Sequence, residues 1–143
     1  MSAAPTPDVD TAMVLGMAST ALPFASSPED EAERWLRILR LHGDAGVALQ
    51  ALGVSEAPLE GAAEQEPADR DAPARGDVVR AVTDGAVRVA AHRGSRTVGA
   101  GDVLVAVMGV YGADFDHVLR VHGTDRDEVL QRLGIEMPDG VIA

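Results

Sequence analysis

The feature that most constrains this fold is a stretch that cannot join a core. Residues 55–76, SEAPLEGAAEQEPADRDAPARG, hold three prolines, many carboxylates and no aromatic or β-branched side chain. Such a segment buries too little apolar surface to offset its own ordering, and it reads as a solvated acidic linker. It separates two apolar, periodic halves at residues 8–54 and 77–136, and a tail follows at 137–143. A chain of 143 residues matches one ordinary domain, able to hide roughly 70% of its unfolded surface. A single domain over residues 1–143 is therefore expected.

Both halves carry helical periodicity. From Asp77 the apolar positions Val78, Val82, Val89 and Ala90 fall on or near one helical face, and Gly94 with Ser95 ends the segment. The run GDVLVAVMGVYG (residues 101–112) places Val103, Ala106, Val107 and Val110 at i, i+3, i+4, i+7. Its valines also suit a strand, but its length and a second stripe of Leu104, Met108 and Tyr111 favour a buried helix. Asp114 to His122 puts Phe115, Val118, Leu119 and His122 on one face. A last helix starts at Thr124, read as its cap, and stops at Gly134. In the first half, Thr11 to Leu22 is Ala- and Met-rich and ends at Pro23. The next helix has Ser27 as N-cap, Pro28 at its first position, acids in its first turn and arginines at its far end, each where the helix dipole favours it. Ala45 to Leu52, closed by Gly53, forms a short third helix. The fold class expected is all-α, with short connections.

Composition narrows the function. The net charge is −11 and the basic residues other than histidine are all arginine. Without a basic stripe, and with only Phe24, Trp35, Tyr111 and Phe115 as aromatics, nucleic acid is not an expected partner. No cysteine is present, so thiolate metal sites and disulfides are excluded. Asp8 and Asp10 stand where a signal peptide would be basic, and no apolar run is long enough for a bilayer, so a cytoplasmic protein without membrane contact is expected. His117 and His122 are five apart, about 140° around a helix, unlike an i, i+4 zinc pair. No metal or cofactor is expected. The chain has no GxSxG elbow, and the acids of SSPEDE read as a solvated first helical turn, so no catalytic residue is assigned and an enzyme is not expected. In VGAGDVL the third glycine of a dinucleotide fingerprint would fall at Leu104, and a Walker loop needs a lysine that the chain lacks.

The second half resembles a known family. GSRTVGAGDVLVAVM (residues 94–108) is similar to the GHxYIGTEHLLLALL segment in the N-terminal domain of Clp-family AAA+ unfoldases. APARGDVVRAVTDGA (72–86) resembles that domain's TPRAKRVLELAxEEA. DFDHVLRVHG and TDRDEVLQRLG (114–134) resemble VAARVLRALGVDLDxLRxxL. The likeness is firm over residues 72–134 and weaker over 8–54, where MVLGMA (13–18) and VALQALGV (47–54) carry it. The resemblance implies two tandem four-helix Clp N repeats related by a pseudo-twofold axis, in a divergent, stand-alone version without ATPase modules. It also implies a bacterial, protease-associated protein.

The family register decides between two readings of an internal echo. LRLHGDAGVALQALGV (39–54) and LRVHGTDRDEVLQRLGI (119–135) share Leu-Arg-x-His-Gly at an offset of eighty. The family pattern instead pairs Leu49 with Leu119 and Gly53 with Gly123, an offset near seventy. His42 and His122 then close different helices, so they would not form a shared site.

In the family, threonine and glutamate of the linker and GTEH motifs help dock arginine-phosphorylated substrates. The matching positions are Ala72, Ala100 and Gly101, with Asp8 near the other threonine position. Alanine and glycine cannot bind a phosphate or guanidinium through a side chain. The resemblance therefore implies a protein- or peptide-binding domain, acting as an adaptor, decoy or sequestering protein. Its partner would be a Clp unfoldase, an adaptor of one or a cyclic peptide. The surface expected to bind is the junction of the halves, with Asp8, Arg93, Arg96 and Tyr111 as candidate binding residues. Arg93 and Arg96 read as loop cations whose joint removal weakens an acidic partner while leaving helicity intact. The alternative is a small-molecule-binding sensory domain of a regulator, in which Trp35, Met108, Tyr111 and Phe115 line a pocket.

Overall fold

A computed structural model describes residues 4–54 and 75–134. The expectations for Ala72, for the tail and for all but the end of the linker lie outside the described residues. Seven α-helices make up most of the described chain: α1 (Val9–Ala21), α2 (Pro28–Leu39), α3 (Gly43–Ala51), α4 (Arg75–His92), α5 (Ala100–Tyr111), α6 (Ala113–Val121) and α7 (Arg126–Leu133). A 3-10 turn at Leu22–Phe24 follows α1. Two short strands, β1 (Thr6–Pro7) and β2 (Thr97–Val98), pair in parallel, Thr6 opposite Thr97 and Pro7 opposite Val98. The all-α expectation stands.

Local chemistry accounts for the boundaries. Asp8 accepts the Thr11 amide at 2.8 Å, so α1 begins two residues before the Thr11 start that periodicity suggested. Ser27 caps α2 through the Asp30 amide at 3.0 Å, and Pro28 takes its first turn, as read from the sequence. The linker prediction overruns: α4 starts at Arg75, inside the stretch assigned to the linker. At α7 the cap is Asp125, whose carboxylate accepts the Glu128 amide at 2.9 Å. Thr124, expected in that role, instead hydrogen-bonds the Glu128 carboxylate.

The valine-rich run forms α5, which is buried from Ala100 through Met108 and packs against α1, α2, α3, α4, α6 and α7. Surrounded on all sides, it does not need a polar face, which is why its sequence looks strand-like. Trp35, Phe115, Leu36, Leu39, Leu49, Leu104, Met108 and Leu119 fill the interior around it.

The packing partners exchange under one renumbering. Helix α1 packs on α2 as α4 packs on α5, α2 packs on α6 as α5 packs on α3, and α1 meets α4 while α2 meets α5. The ends of α3 and α6 match bond for bond at an offset of seventy. Gly53 and Val54 donate to the carbonyls of Gln50 and Leu49 at 3.1 and 3.0 Å, and Gly123 and Thr124 donate to Arg120 and Leu119 at 3.0 and 3.0 Å. Gly53 and Gly123 have φ of +85° and +89°, the left-handed turn of a Schellman ending that glycine adopts without a Cβ penalty. His42 caps the start of α3, whereas His122 caps the end of α6. The two histidines of the sequence echo are thus at unlike positions.

Candidate binding site at the junction of the two halves

The site is assembled from four hydrogen bonds, two between backbones and two that use a side chain. The amides of Thr6 and Asp8 donate to the Arg96 and Val98 carbonyls at 3.2 and 3.0 Å. The buried Thr11 hydroxyl donates to the Val98 carbonyl at 2.6 Å. These bonds lay the start of α1 beside the loop before α5, the two segments expected to meet. From the other side, Asp44 at the start of α3 accepts the Gly101 amide at 2.8 Å. This bond satisfies one of the unpaired amides that open α5.

Small residues permit this approach. A Cβ on Gly101 would lie 2.6 Å from the nearer Asp44 oxygen, and one on Gly43 would lie 3.0 Å from the Ala100 Cβ. Close packing at Ala100 and Gly101 therefore leaves little room for larger side chains. The carboxylate is supplied by Asp44 across the junction, not by the loop itself. Sequence reasoning missed Asp44 because its signal is a contact between halves, with no local motif.

Arg93 is not a free loop cation. Its Nε and Nη2 donate to Asp102 at 2.8 and 2.6 Å, and Asp102 also accepts the Gly99 amide at 2.9 Å. Asp102 is 1% exposed. Its hydrogen bonds hold the Arg93 guanidinium above the ordinary arginine pKa, with desolvation working against them and the Asp102 and Asp44 charges adding to them. Of the two arginines read as loop cations, Arg93 is thus tied to a buried carboxylate. The Arg96 residue is exposed.

The charge of the junction is consequently acidic. Asp8, Asp44 and Asp102 oxygens lie 3.7, 3.8 and 3.9 Å from the point where a Gly99 side chain would begin, and Asp10 approaches Gly43. With Arg93 committed to Asp102, this face suits a guanidinium or ammonium group better than the acidic partner the sequence suggested. No group of acids and histidines suited to a metal occurs among the described residues.

Tyr111 lies away from the junction, at the end of α5. Its hydroxyl accepts from Trp35 Nε1 at 3.0 Å and donates to Glu31 at 2.8 Å. Trp35, Met108 and Phe115 are at most 1% exposed and belong to the core. Asp8, Arg93 and Arg96 are brought together, and Tyr111 is not.

Comparison with family models, with curated proteins and with solved structures returns no match. No helix among the described residues is long and apolar enough to cross a membrane.

Proposed function

We propose that this chain is a protein- or peptide-binding domain of the Clp N type, an adaptor, decoy or sequestering protein in ligand recognition by Clp unfoldases. The observation that carries the reading is the correspondence of α1-α2-α3 with α4-α5-α6, including the matched helix endings seventy residues apart. Two tandem repeats about a pseudo-twofold axis account for that correspondence. The junction of the repeats, rimmed by Asp8, Asp10 and Asp44, is the surface assigned to a partner, and its carboxylates suit a basic side chain. The reading implies a cytoplasmic, bacterial protein.

Fold alone does not specify function, so the test is functional. A reconstituted Clp protease degrading an adaptor-delivered fluorescent substrate is titrated with this protein. A decoy or sequestering protein slows degradation, and an adaptor accelerates that of its own cargo. A rate unchanged for every adaptor tried overturns the proposal.

A further inference from the structure

The outer face of α1 is unusually apolar. Val9, Met13 and Met17 follow i, i+4, i+8 spacing on the side opposite the buried Val14 and Ala18, and they are 76%, 50% and 40% exposed. The stripe runs into an open groove of about 250 Å³ between α1 and α2, lined by Met17, Ala21, Arg34, Arg37, Ile38 and Leu41. Methionine side chains at such a surface adapt their shape to different ligands.

Both arginines have an Nε shielded without a hydrogen-bond acceptor, but the rest of each side chain differs. Arg34 is engaged, with Asp30 at 3.4 Å and the Ala21 and Phe24 carbonyls at 3.5 and 3.3 Å. Arg37 has no ion pair or hydrogen bond among the described residues, although its Nε is shielded from solvent. A shielded donor without an acceptor is costly in a finished fold. In a chain of net charge −11, a cation left without an acid points to an acceptor from outside.

The packing of the two helices does not demand this cation. The twelve-residue helices α2 and α5 correspond at an offset of seventy-two. The twin groove between α4 and α5, about 360 Å³, carries Ala106, Gly109 and Val110 where the first carries Arg34, Arg37 and Ile38. The same helix pairing thus closes with alanine and glycine at the arginine positions. The second groove does carry Arg88, but on α4 and beside Asp84, whereas the first groove's lining combines Met17 with two arginines on α2 and holds no acid.

We infer that the α1–α2 groove binds an acidic, apolar peptide segment of a protein partner, seating an aliphatic or aromatic side chain against Met17, Ile38 and Leu41 and a carboxylate on Arg37. The inference rests on the protein-binding reading and names the partner's chemistry at a second surface, opposite in charge to the junction.

Methionine-methyl and backbone-amide NMR spectra test it, with a short Leu- and Glu-containing peptide as probe. Two counterparts serve as controls, one with Lys for Glu and one with Ser for Leu. The Met13 and Met17 methyl signals are expected to move on titration while the buried Met108 signal stays. Arg37→Gln is expected to weaken binding about tenfold, the scale of one charge-assisted hydrogen bond. The exposed-rim variant Leu41→Ser weakens it as well, and circular dichroism of both variants remains that of the parent. Equal binding of the lysine peptide, or unchanged affinity of Arg37→Gln, overturns the assignment. Met17 shifts that track protein concentration without peptide also overturn it, because the occupant is then a second copy. Shifts confined to residues 94–101 and the start of α1 reject the groove but leave the protein-binding reading standing. No shift with any peptide rejects the groove, and the degradation assay decides the broader reading independently.

Discussion

Asp102 takes hydrogen bonds from the Gly99 amide and from two nitrogens of Arg93 while almost fully buried. Removing Arg93 leaves that carboxylate without its counter-charge. Because the Arg93 side chain is 36% exposed, water screens part of the interaction. Arg93→Ala should then cost about 1–3 kcal/mol, below the cost of breaking a fully buried pair. Arg96→Ala should stay within about 0.5 kcal/mol. Urea unfolding of the two single variants checks the contrast. The sign of the pH dependence follows from the raised Arg93 pKa. A raised basic pKa stabilises the fold below the unfolded value and stops doing so only above the folded one. Arg93 therefore stays charged, and the Arg93→Ala deficit persists, through neutral and mildly alkaline pH.

Two glycines make a further residue-scale contrast. A Cβ on Gly46 would lie 2.7 Å from the backbone carbonyl oxygen of Arg40, whereas one on Gly101 would meet the end of the Asp44 side chain. Backbone cannot yield as a carboxylate can. Gly46→Ala should cost about 1–3 kcal/mol by overpacking. Gly101→Ala should cost about 1 kcal/mol, chiefly the displaced Asp44 hydrogen bond. Denaturant midpoints of both variants at equal slope measure the difference.

At the scale of elements, α2 and α6 are joined by polar as well as apolar contacts. His122 Nε2 lies 3.0 Å from Glu33, with both side chains at most 4% exposed, and His117 lies 3.2 Å from Glu29 at the surface. His122→Ala strands the buried Glu33 carboxylate and should destabilise by about 2–4 kcal/mol. His117→Ala, on a solvated pair, should change stability by less than about 1 kcal/mol. Thermal unfolding followed by the fluorescence of Trp35, buried on α2, checks both variants. Helix α7 offers a smaller effect: Asp125→Ala removes its cap and should cost about 1 kcal/mol.

Element types were legible in the sequence where signals were local. Ser27-Pro28, the terminating glycines and the i, i+3, i+4 spacing each mark one helix directly. The boundary errors arose where a local reading had competitors. Asp125 outcompetes Thr124 for the start of α7, and Asp8 extends α1 because β1 pairing holds it in place. The candidate site was legible only as a location. Asp8 and the loop at 94–101 do meet, but the Arg93–Asp102 bond and the reach of Asp44 depend on tertiary approach, to which periodicity is blind. The pairing of His122 with Glu33 was missed for the same reason.

For the whole molecule, α5 packs against helices of both halves, and part of the packing exchanges partners between them. That exchange places two unlike surfaces on one scaffold: an acidic junction around Asp8, Asp10 and Asp44, and an apolar groove with Arg37 at its edge. The proposed binding needs no moving part at the junction, because hydrogen bonds already hold the Asp8 and Asp44 side chains in place. The partners proposed for this scaffold are proteins of the Clp system. Sedimentation velocity of the protein mixed with purified Clp unfoldases and adaptors tests that proposal most directly. The prediction is saturable co-sedimentation with at least one of them at concentrations of order micromolar, reduced by Asp10→Ala at the junction or by Arg37→Gln at the groove. Independent sedimentation in every mixture would contradict it.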